Sequence, residues 1–149
     1  VRAVLDGTSL VLVTRDWVRV EVRLLGIEPP EIPRLRQSGG QATPGQPFGE
    51  VAALYLRDLL VDKQVRLESY GKDRQGRMAA VVWLGDINVN LTLVKEGLAW
   101  VDPAVNFFKV RAGLEIAERQ AQVGKYGLWA LPHPEPPWEF RKRHRITTE

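Results

Sequence analysis

Cysteine is absent from the 149 residues, and histidine is limited to His133 and His144. The first absence excludes disulfides, thiolate nucleophiles and cysteine-bound zinc, and leaves the redox compartment open. The second leaves a serine–histidine–aspartate triad or a two-histidine metal centre nowhere to form except the proline- and charge-rich C-terminal stretch, a poor place for an oriented imidazole. No apolar run approaches the ~20 residues that a membrane-spanning helix needs. A signal peptide is also lacking, but the chain opens on Val1 in a strand-like run, so the N-terminus reads as incomplete.

An excess of one charge is likewise missing once the tail is set aside. The formal net charge is +3, with 21 basic and 18 acidic residues. Four of the basic residues lie in Arg141-Lys142-Arg143-His144-Arg145, and one of the acids is Glu149, so residues 1–140 are balanced. Global charge therefore says little about a polyanionic partner, and local placement must carry that question. The basic run itself reads either as a solubilising tail, dispensable for folding, or as a contact for nucleic acid or an acidic membrane surface.

What is present is enough for one core: 44% of residues are hydrophobic and 26% charged. Val1–Leu5 and Ser9–Thr14 read as strands. Val18, Val20, Val22 and Leu24 alternate with Arg19, Glu21 and Arg23, the period of a half-buried strand. Residues 33–49 are a proline- and glycine-rich loop, longer than the ~12–15 residues usual without structure of their own. Val51, Leu54, Tyr55 and Leu59 then predict a helical face. Strands follow at Val65–Ser69 and Met78–Leu84. Asn88 is placed to cap a short helix that Gly97 stops, and Leu98–Val101 is a brief strand. Val110, Leu114, Ala117 and Ala121 predict the last helix, with Asp102-Pro103 as its cap and first turn. The prolines after Trp129 predict an extended tail, on which Trp138 packs back against the domain. The fold class is a β-rich α+β domain of the OB type, a five-stranded barrel with three helices. It covers residues 1–130, with a tail over 131–149.

Splitting a phosphodiester needs charge placed against the phosphate and a base to aim water. Arginine suits the first task because its planar fork holds two phosphate oxygens. Arg23 ends one strand and Arg77 precedes another, both at a rim; Glu31 follows in a loop. Taken singly, each has a plain alternative: a solvated strand arginine, a turn arginine, a loop acid. The stretches that hold them decide between the readings. Arg23-Leu24-Leu25-Gly26-Ile27-Glu28-Pro29-Pro30-Glu31, Asp73-Arg74-Gln75-Gly76-Arg77, Asp6-Gly7-Thr8-Ser9, Asn88–Val101 and Ala117–Trp129 together resemble the staphylococcal-nuclease (thermonuclease) family, in order and spacing over nearly all of residues 1–130.

The resemblance implies an OB-fold nuclease that hydrolyses single-stranded DNA or RNA with little sequence preference. Arg23 and Arg77 fall on the family's phosphate-binding arginines and Glu31 on its water-orienting base. It implies a monomer, secreted or periplasmic, although the sequence leaves the compartment unknown. It also implies calcium, held in the family mainly by two aspartates and a backbone carbonyl. Here those positions are Thr8, Glu28 and Pro29. Thr8 loses a charge, Glu28 is one methylene longer, and Pro29 keeps its carbonyl. Asp6, across a glycine turn, points elsewhere. Calcium affinity follows carboxylate number and rigidity, so a weakened site is expected. Mg²⁺ or Mn²⁺ are the other ions that an oxygen-only set admits.

The family's base-stacking tyrosines fall on Gln75, Pro103 and Val105. Phe107 and Phe108 are substitutes if the loop shifts, against the favoured reading that they pack in the core or on a helix. Arg34, Arg36, Lys72 and Arg74 are the candidate nucleic-acid contacts, with solvated loop charge as the alternative. The rival to an enzyme is a module that has lost catalysis and binds nucleic acid or a protein partner.

Overall fold

The alternating run does form a strand, and its two neighbours explain where the site lies. In the computed structural model, which describes residues 1–34 and 43–144, β1 (Ala3–Val4), β2 (Ser9–Val13) and β3 (Arg19–Leu24) make an antiparallel meander. β3 then pairs in parallel with β6 (Met78–Leu84), and β6 pairs with β5 (Arg66–Lys72) and with the two-residue β7 (Ile87–Asn88). A separate ladder joins β4 (Ile27–Glu28) to β8 (Trp100–Val101). The pairing path β1-β2-β3-β6-β5 has β1 and β5 as its ends, and no pairing between those two closes a barrel among the described residues.

Sheet side chains Leu10, Leu12, Val22, Leu24, Ala80 and Val82 meet α1 (Gly49–Leu60), α2 (Val89–Lys95) and α3 (Phe108–Gly124) in one apolar cluster. Asn88 caps α2 as its position predicts, its Oδ1 accepting from Leu91 N at 3.1 Å. The face of α3 also agrees: Leu114, Ala117 and Ala121 are buried. The face of α1 is one residue out of phase with the expectation. Ala52, Leu56 and Leu60 are buried, while Val51 and Leu54 are half exposed. The small Ala52 allows close approach, which a count of large side chains overlooks.

Three further expectations are corrected. Asp102-Pro103 makes a turn rather than a helix start: Asp102 Oδ1 accepts from Ala104 N at 2.8 Å, its carbonyl accepts from Val105 N, and α3 begins only at Phe108. Phe107 and Phe108 are not core residues; Phe108 is 83% exposed, and Phe107 leans on Tyr70 with ring centroids 4.8 Å apart. The segment after Trp129 is not simply extended. A 3₁₀ turn (Gly127–Ala130) leads to a fourth helix, α4 (Pro137–Arg143), which begins with proline at its first position, where the missing N–H costs nothing. Phe140 is buried, and Trp138 packs on Trp100 with centroids 5.8 Å apart, as expected of it.

Candidate active site

Arg23 and Arg77 come together through strand register. Arg23 on β3 lies opposite Ser9 on β2, and the parallel pairing sets Arg23 beside Ala79 of β6, just past Arg77. Arg77 Nη1 donates to Ser9 Oγ at 3.3 Å, and Arg23 Nη1 donates to Thr8 Oγ1 at 2.5 Å. Two arginines thus hang on adjacent residues of one strand end.

Asp73 sets Arg77. Its Oδ1 accepts from the Arg77 backbone N–H and its Oδ2 from Nε, both at 2.9 Å, and Oδ1 also accepts from Gln75 N at 2.9 Å. Burial alone would push the Asp73 carboxyl up, but these backbone donors and the guanidinium outweigh it and hold it below the usual range. The sequence motif contains Asp73, yet its role as the residue that aims Arg77 comes only from the geometry.

Glu31 is fixed from its own loop. Its N–H donates to Gln46 Oε1 at 3.0 Å and its carbonyl accepts from Gln46 N at 2.8 Å. Gly49, at the start of α1, lies so close to that carbonyl that a Cβ there would collide with it. The other end of Gln46 donates from Nε2 to the Glu135 carbonyl at 2.8 Å, tying the Glu31 loop to the C-terminal segment. Gly7 makes the matching close approach on the opposite side: a Cβ would lie 2.6 Å from Pro29 Cβ. Asp6 folds back onto Thr8, its Oδ1 accepting from Thr8 N at 2.8 Å and from Thr8 Oγ1 at 3.4 Å.

The residue that joins these parts lies in the stretch expected to be a free tail. Arg141 on α4 donates from Nη1 to Glu31 Oε1 at 2.8 Å and from Nη2 to Glu28 Oε1 at 2.9 Å, with its side chain only 14% exposed. Arg23 Nη2 stands 3.9 Å from the same Glu28 oxygen, and Arg34 Nη2 is 3.8 Å from Glu31 Oε2. Burial pushes the Glu28 carboxyl up, against the pull of Arg141, and Asp102 adds to the rise. Arg141 is therefore paired within the fold rather than free in a solubilising tail. Arg143 is also paired, forking onto Glu135 at 2.9 and 3.1 Å with its side chain 59% exposed. Of the other candidate contacts, Arg34, Lys72 and Arg74 are exposed beside the site or in the charged turn, and Arg36 lies outside the described residues.

Thermonuclease-type proteins are calcium-dependent, and the residues here do not fit that ion. Thr8 is fully buried and its hydroxyl accepts from Arg23. Glu28 and Glu31 each give an oxygen to Arg141. No group of three or more histidine, cysteine, aspartate or glutamate side chains is poised for a metal among the described residues. A divalent ion would have to displace a guanidinium held by two charge-assisted hydrogen bonds.

Comparison with known proteins agrees with the geometry. The model of the staphylococcal nuclease homologue family matches residues 21–131. An uncharacterized endonuclease of Haemophilus influenzae is 33% identical over 141 residues, 95% of this chain and 71% of its own length. The thermonuclease of Staphylococcus intermedius is 35% identical over 131 residues, 87% of this chain and 74% of its own. The micrococcal nuclease of Shigella flexneri is 31% identical over 157 aligned positions, 97% of this chain and 80% of its own. With register, arginine pair and glutamate in place, the chain belongs to the staphylococcal nuclease homologue family.

Proposed function

We propose that this protein is a nucleic-acid phosphodiesterase of low sequence specificity. The observation that carries the reading is the meeting, at one end of the β2–β3–β6 sheet, of two arginines held by Thr8 and Ser9 with a glutamate tied through Arg141 to Glu28. Arg23 and Arg77 take the non-bridging oxygens of the phosphate and oppose the charge that grows on them as the phosphorus becomes five-coordinate. Glu31 removes a proton from water as that oxygen bonds to phosphorus, and the opposite ester bond breaks. The leaving oxygen takes its proton from solvent. Nucleic acid is the substrate class that the family membership and the nuclease names of its relatives support, and single-stranded DNA or RNA is the form we propose. The exposed Arg34, Lys72 and Arg74 supply sequence-independent backbone contacts.

A second reading, a module that binds nucleic acid without cutting it, is favoured by one observation: Thr8 stands where the family places a carboxylate. One assay separates them. A labelled single-stranded DNA oligonucleotide and its RNA counterpart are incubated with the protein, and the products are sized. The enzyme reading expects fragments throughout the strand, slowed about 10²-fold or more by Arg77→Ala. Intact substrate that nevertheless shifts on a gel would instead establish the binding module.

A further inference from the structure

Three features converge on Arg141. First, it is the only side chain among the described residues that hydrogen-bonds both carboxylates of the site, at 2.8 Å to Glu31 and 2.9 Å to Glu28. Second, it is delivered by an anchored element. Phe140, next to it, is 5% exposed, and Trp138 packs on Trp100, whose backbone pairs with Glu28 itself. Gln46 holds Glu31 with one end of its side chain and the Glu135 carbonyl, just before α4, with the other. Third, the side chains of Glu28, Glu31 and Arg141 are 15%, 9% and 14% exposed, so the pair is neutralised by the chain rather than by water.

We propose that Arg141 is a tethered counter-ion that closes the site: α4 lays its guanidinium across Glu28 and Glu31, occupying the carboxylates a divalent cation would need and shutting the Glu31 oxygen away from water until α4 undocks. A guanidinium is planar and can place one N–H on each of two carboxylates. Because it is carried on the same chain, its effective concentration is millimolar or higher, and an incoming cation must outcompete it. The loss of a carboxylate at Thr8 weakens the cation's side of that competition further. This deepens the nuclease reading and rests on it for the role of Glu31, but its test reads cation binding rather than hydrolysis.

The test is calorimetric titration of calcium chloride into the full chain, its Arg141→Gln variant and its Phe140→Ala variant, each checked for folding by circular dichroism. Phe140→Ala keeps the arginine but loosens its anchor, so it decides the matter alone if Arg141→Gln does not fold. The expected result is calcium binding at least tenfold tighter in both variants than in the unaltered chain. The gain in Arg141→Gln is expected to vanish when Glu28→Gln is added. Equal affinity in all three proteins, or a gain that survives Glu28→Gln, would overturn the proposal.

Discussion

At the residue scale, the places of Arg23, Arg77 and Glu31 at strand ends and in a loop were legible because residue type and spacing are local properties of the chain. Arg23 closes an alternating strand, Arg77 follows a glycine turn, and Glu31 follows a proline pair. What holds them was not legible. The resemblance marks Thr8 only as a calcium position and gives Ser9 and Gln46 no role; their hold on Arg23, Arg77 and Glu31 joins residues 15 to 68 positions apart. Buried Asn90 is another such residue, accepting from Val82 N and donating to the Leu25 and Ala80 carbonyls. Asp73 gives a prediction at this scale. Its carboxyl is held below the usual range in the folded chain, so the stabilisation it supplies is present above the ordinary carboxylate pKa of ~4 and is lost as pH falls through the lower, folded value. Asp73→Asn is expected to cost about 1 kcal/mol at pH 7. That difference should shrink in urea titrations carried out progressively below about pH 4; a difference independent of pH would contradict the role.

At the element scale, hydrophobic spacing located α1, α2 and α3, and it failed where a rule was applied in the wrong sense. Prolines at 136 and 137 predict an extended chain, yet proline at the first helical position starts α4. Glu139 in its first turn and the three basic residues in its last complement the helix ends. The Asp102-Pro103 pair shows the converse error, a cap signature spent on a turn. Since α4 carries Arg141, removing residues 141–149 is expected to destabilise the fold rather than leave it unchanged. Glu28 and Glu31 would lose a shared partner, a loss of about 2–3 kcal/mol, below the range for a fully buried pair because Arg23 and Arg34 stay nearby. A lowered thermal midpoint in calorimetry, by several degrees, is the predicted result; an unchanged midpoint would show that the ion pairs of Arg141 contribute nothing.

At the scale of the whole molecule, the basic character of the C-terminus is partly spent within the fold. Arg141 and Arg143 are paired with Glu28, Glu31 and Glu135, so these two guanidiniums are engaged within the fold, while the formal net charge of +3 already counts both members of each pair. Arg34, Lys72 and Arg74 remain exposed. On this account the fold brings two arginines and a glutamate to one rim and sets a helix against them. The account stands on Glu31 as the base, and one measurement bears on it most directly: single-turnover cleavage of a single-stranded DNA oligonucleotide by the unaltered chain and by Glu31→Gln, with binding measured alongside. Glutamine keeps the size of the side chain but cannot take a proton from water. The predicted result is a rate lower by ~10²–10⁴-fold with affinity nearly unchanged; cleavage by Glu31→Gln at the rate of the unaltered chain would contradict it.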